Sequence, residues 1–93
     1  MIETSIIVKI TEKLKEVFDT KDIEYYGISW QTDHYTFFVK CEKIDGLINE
    51  KWSKNFPSGS YFGIAKRSVS PDYLNLTVDV TKEDAKQFEV IAN

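Results

Sequence analysis

Residues 23–31 (IEYYGISWQ) and 34–42 (HYTFFVKCE) constrain the fold more than any other part of the chain. Both stretches are rich in aromatic and β-branched residues and alternate at a period of two, with Gln31-Thr32-Asp33-His34 as a polar turn between them. The spacing predicts a β-hairpin. Pairing Trp30 with Tyr35 sorts Trp30/Tyr35, Ile28/Phe37 and Tyr26/Val39 onto one apolar face. Ser29/Thr36, Gly27/Phe38 and Tyr25/Lys40 then share the other face. A slip of one residue destroys that sorting. Gly27 opposite Phe38 fits a ring covering the bare backbone of a strand glycine.

A second hairpin is expected over 61–67 and 74–80, joined through Ser70-Pro71-Asp72, where proline suits a type I turn. Pairing Ser68 with Leu74 places Phe62/Val80, Ile64/Val78 and Lys66/Leu76 together. Gly63/Asp79, Ala65/Thr77 and Arg67/Asn75 fall on the opposite face.

Helices are expected before, between and after the hairpins. Over 5–19, Ile7, Ile10, Leu14, Val17 and Phe18 recur on one helical face, with Thr4 or Ser5 as the cap. Over 45–54, Leu47, Ile48 and Trp52 form an apolar side, with Asp45 as the cap. Residues 56–60 (FPSGS) read as a loop. Thr81 is placed to cap a last short helix whose apolar side is Ala85, Phe88 and Ile91, with Asp84 at the capping-box position.

The expected fold class is therefore α+β in the order α-ββ-α-ββ-α. It has one four-stranded antiparallel sheet with its helices mainly on one face. Residues 24–29 (EYYGIS) and 60–65 (SYFGIA) are alike at an offset of 36, which suggests an αββ internal repeat. Ninety-three residues make a single domain, 1–93. A chain of this size buries roughly 60–65% of its unfolded surface, enough for one core. Its 14% aromatic content argues against disorder.

Chemistry is sparse. One histidine and one cysteine cannot supply the four soft ligands of a zinc site. Pro57-Ser58-Gly59-Ser60 lacks the lysine and helix that make a phosphate loop. Asp33-His34 reads as a solvated turn, Cys41 as a small buried hydrophobe, and Asp79, Glu83 and Asp84 as helix capping. No catalytic constellation and no cofactor is expected. A net charge of -3 lacks the cationic excess of most nucleic-acid binders. A single cysteine excludes an intramolecular disulfide and suits a reducing cytoplasm, as does the absence of a cleavage-like site or a long apolar run. A phage or plasmid protein acting inside a bacterial cell would have the same composition.

What remains is the outer sheet face, where a minimal fold would carry Thr, Lys and Glu. Tyr25, Phe38 and Tyr61 are expected there, with Lys40 and Arg67 beside them. Grouped exposed rings mark interfaces, although glycine cover or an overlying C-terminal helix would also account for them. The leading expectation is a non-enzymatic, cytosolic protein-binding module of the inhibitor, immunity or anti-defence type, docking on a larger protein partner. The first alternative is a nucleic-acid-binding domain using the basic-aromatic patch of Lys40, Lys66, Arg67 and the rings. The second is a small-molecule domain with a pocket lined by Trp30, Tyr35 and Trp52. Strand 74–80, if it lay at an edge, would offer a route to a homodimer.

Overall fold

The computed structural model describes residues 2–29, 34–42, 46–64 and 73–88. The elements are α1 (Ile2–Phe18), β1 (Asp22–Ser29), β2 (His34–Cys41), α2 (Ile48–Asn55), β3 (Tyr61–Ile64) and β4 (Leu74–Thr81). A short α3 (Lys82–Ala85) continues into a 3-10 turn, Lys86–Phe88. The strands form one antiparallel sheet in the order β1-β2-β4-β3, with the helices on one side. The expected α+β class and element order hold.

Helix α1 begins before the expected cap, so Thr4 and Ser5 lie within its first turns. Its buried stripe is Ile6, Ile10, Leu14, Val17 and Phe18, with Ile7 packed at the margin. It stops at Asp19, whose φ of 50° is left-handed, and Thr20 N–H returns to Lys15 O at 3.2 Å. This is the six-to-one bond of a Schellman ending, which satisfies a terminal carbonyl. Thr20 Oγ1 then donates to Lys40 O at 2.6 Å and accepts from Asp22 N–H at 3.2 Å. One hydroxyl thus fixes the angle between α1 and the first hairpin.

Asp45 lies outside the described residues. Leu47, expected on the apolar side of α2, precedes that helix, is exposed, and makes no side-chain cap. Ile48, Trp52 and Phe56 carry the buried side instead. Thr81 caps α3 as expected, accepting from Asp84 N–H at 3.1 Å. The buried Asp84 carboxylate does not reach back to Thr81 N–H as a capping box would. It accepts from Ser58 N–H at 2.9 Å and from the Ser60 hydroxyl, and Thr81 N–H goes to Ser60 Oγ at 2.9 Å. The start of β3 is thereby clipped to the end of β4, with each buried polar group satisfied.

The hairpin registers differ from those expected. In the first, Ile28 faces Tyr35 and Gly27 faces Thr36. A bulge at Tyr26 then shifts the pairing to Tyr25/Phe37, Glu24/Phe38 and Ile23/Val39. An extra residue in one strand inverts every side chain beyond it. Tyr25, expected outside, therefore packs inward against Phe37 and Tyr35, at centroid distances of 5.2 and 6.5 Å. Tyr26, expected inside, is 71% exposed. In the second hairpin Phe62 faces Val78 and Gly63 faces Thr77. This lies two residues from the expected register, which preserves the sorting of faces. Strand 74–80, considered as an edge, is central; β1 and β3 are the open edges.

The αββ repeat finds no support at its matched positions. Tyr25 points inward and Tyr26 outward, whereas Tyr61 points outward and Phe62 packs on Phe18 and Trp52. The core lies between sheet and helices and includes Tyr35, Phe37, Val39, Cys41, Leu76, Val78 and Val80 from the central strands.

Candidate functional site

The outer sheet face is built by alternation along β2 and β4. Because Tyr35, Phe37, Val39 and Cys41 are buried, His34, Thr36, Phe38 and Lys40 point the other way. On β4 the same rule turns Asn75, Thr77 and Asp79 outward, opposite Lys40, Phe38 and Thr36. Strand β3 adds Tyr61 beside Asp79 and Gly63 beside Thr77. Strand β1 adds Asp22, Glu24 and, through the bulge, Tyr26.

Three rings dominate. Tyr26 and Tyr61 are 71% and 55% exposed and Phe38 is 40% exposed. Tyr26 lies against Phe38 at 5.0 Å between centroids, tilted by 54°. His34 lies 5.9 Å from Tyr61 across the same face. Among the described residues neither structural account of these rings finds support. A Cβ built at Gly27 or Gly63 meets nothing within 4 Å, so no ring from beyond their chain neighbours covers either glycine. The C-terminal segment does not overlie the rings within its described part: Ala85 and Phe88 belong to the core on the helical side.

Asp79 stands at the centre of the face. Its Oδ1 accepts from Thr36 Oγ1 at 2.7 Å. Tyr61 faces this residue across β3 and β4, and the neighbouring carboxylate's pull on the phenol proton and its negative charge raise the Tyr61 phenol above its ordinary value. Lys40 forms no ion pair with Asp22, Glu24 or Asp79. Its ammonium sits 3.8 Å above the Tyr73 ring in a cation–π contact.

Of the residues singled out in the sequence, Phe38, Tyr61 and Lys40 come together here. Tyr25 does not, and Arg67 lies outside the described residues. Tyr26 was expected on the inner face. His34, read as a turn residue, opens β2, and Asp79, read as helix capping, lies within β4 opposite Thr36. Tyr73 was not among the residues singled out. A signal for Tyr26 was present: a glycine inside a strand pattern often marks a bulge. Trp52 and Phe56 are in the core; Trp52 Nε1–H donates to Ser60 O at 3.1 Å.

The pocket expected around Trp30, Tyr35 and Trp52 is not formed by these residues. Tyr35 and Trp52 are packed in the core, and Trp30 lies outside the described residues. An open cleft of about 620 Å³ lies elsewhere, where the end of α1 and the start of α2 meet the end of β2. Its rim mixes Lys40 and Lys51 with Glu16, Asp19, Asp22 and Glu42. Cys41 lines it but is buried, which pushes the thiol up from its usual range and away from the reactive thiolate. Both signs are present on this rim. Among the described residues no group of His, Cys, Asp and Glu could hold a metal ion. None of their helices is long and apolar enough to cross a membrane.

Comparison with protein-family models, with curated proteins and with solved structures finds no match to this chain.

Proposed function

We propose that this protein is a non-enzymatic binding module that docks on a larger protein through the outer face of its sheet, in the manner of a small inhibitor or immunity protein acting inside a cell. One observation carries this reading. Tyr26, Phe38 and Tyr61 stand exposed together on a sheet face that no described element covers. Apolar ring area held in water is unfavourable by roughly 25 cal/mol per Å². Grouped aromatic residues of this kind supply much of the binding energy at protein interfaces. The sheet and the buried core behind it hold the rings in place before binding, which lowers the entropy lost on association.

The test is affinity capture with the wild-type protein beside a Tyr26→Ala/Phe38→Ala variant shown to be folded by circular dichroism. The expected result is a stoichiometric protein partner held by the wild type and released by the variant. Equal capture by both would remove the site assignment.

Rings on an open antiparallel sheet also favour a second reading, single-stranded nucleic acid stacked on Tyr26, Phe38 and Tyr61. Asp22, Glu24 and Asp79 on the same face weigh against it, since each would repel a phosphate backbone. Nuclease-sensitive capture that weakens steeply with salt would favour this reading over the first.

A further inference from the structure

The docking face carries charge as well as rings, and the charges narrow what it can receive. Among the described strand residues its outward carboxylates are Asp22, Glu24 and Asp79, and its outward cation is Lys40. The ion pairs between described residues all lie along helices: Lys13–Glu16, Lys15–Glu12 and Lys86–Glu83. No described cation is paired with Asp79 or Glu24, and Lys40 turns instead to Tyr73.

Resting on the reading of this face as a protein-docking surface, we propose that its occupant is an arginine-bearing segment of the partner. The guanidinium is held at the Asp79 carboxylate and laid against the Tyr61 and Phe38 rings. Asp79 accepts from Thr36 Oγ1 at 2.7 Å. A carboxylate has about four lone-pair sites, so acceptor capacity remains for a donor arriving from solvent. The Thr36 hydroxyl also fixes its orientation before binding. Tyr61 is its neighbour on β3, and Phe38 is a diagonal neighbour on β2, at the roughly 7–8 Å that long side chains span.

A planar, weakly hydrated guanidinium can meet the carboxylate edge-on while stacking on a ring; a compact ammonium cannot do both. Glu24, paired with Phe38 in the register, offers a further carboxylate on the other side of that ring. An acidic peptide or a phosphate backbone would meet these same carboxylates as like charges.

The test uses the full chain, labelled with ¹⁵N. It is titrated with short synthetic peptides that carry arginine, lysine or glutamate in one otherwise identical polar sequence, and with a single-stranded oligonucleotide. The arginine peptide is expected to shift the amides of Thr36, Phe38, Tyr61 and Asp79, with the lysine peptide weaker and the glutamate peptide silent. Asp79→Asn keeps an acceptor for Thr36 but removes the charge. It is expected to weaken the arginine peptide about tenfold, or about 1.4 kcal/mol. Unchanged arginine affinity in Asp79→Asn would overturn the proposal, as would stronger shifts from the glutamate peptide or the oligonucleotide.

The captured partner separates this failure from failure of the docking reading. If Tyr26→Ala/Phe38→Ala releases it and Glu24→Gln/Asp79→Asn does not, the docking face stands and the arginine assignment falls. If neither releases it, both fall.

Discussion

At the scale of single residues, adjacent positions carry opposite jobs. Phe37 is fully buried and Phe38 is 40% exposed on the other face. Phe37→Ala is expected to cost about 3–5 kcal/mol through lost burial and the cavity left behind. Phe38→Ala is expected to cost about 1 kcal/mol or less. Urea denaturation of both variants checks this, and equal losses would mean that Phe38 is a core residue after all. Tyr61 makes a second residue-scale statement. Its phenol is raised above the ordinary value near 10 by the neighbouring Asp79 carboxylate. The native state therefore favours the protonated form. Its contribution to stability is present below pH of about 10 and is lost as pH rises through the raised native value. Following the Tyr61 ring carbon by NMR should show ionisation above the ordinary range, and Asp79→Asn should bring it back. An Asp79→Asn variant with the same Tyr61 titration would break the link between them.

At the scale of elements, the bulge in β1 decides what reaches the outer face. Gly27 has a φ of 154°, in a region that side chains rarely enter, although a Cβ there would meet nothing within 4 Å. Gly63 has the same open surroundings without that backbone demand. Gly27→Ala is accordingly expected to cost about 1–3 kcal/mol through backbone strain alone. Gly63→Ala is expected to be nearly neutral or slightly stabilising, since alanine has fewer unfolded states to lose. Equal thermal shifts in the two variants would contradict this. The same bulge marks the limit of what could be read from residues. The period-two pattern of 34–42 was legible, and β2 presents the faces it predicted. The pattern of 23–31 was legible only as a strand. Tyr25 and Tyr26 are consecutive tyrosines, and alternation alone cannot say which turns inward once an extra residue is inserted. The register followed the same logic. An error of two residues in the second hairpin left its faces intact, whereas the bulge in the first exchanged Tyr25 for Tyr26. Asp79 as the centre of the face required the β2–β4 pairing across the sheet, a contact between residues far apart in the chain.

At the scale of the whole molecule, the fold divides its aromatic content between two tasks. One set, including Tyr35, Phe37, Trp52 and Phe56, fills the space between sheet and helices. The other, Tyr26, Phe38 and Tyr61, stands on the opposite face around an oriented carboxylate. Both hairpins contribute to that face: β1 and β2 bring Tyr26 and Phe38, and β3 and β4 bring Tyr61 and Asp79. The face exists only when β2 and β4 are paired, so binding through it requires the folded sheet rather than any short linear segment. The most direct measurement places a photo-crosslinking amino acid at Tyr61 and, in a separate variant, at the exposed Glu12 on α1, in cells where the protein acts. Crosslinking from position 61 to a single protein, with none from position 12, is the result this account predicts. Crosslinking from position 12 with none from position 61 would contradict it and move the interface to the helical side.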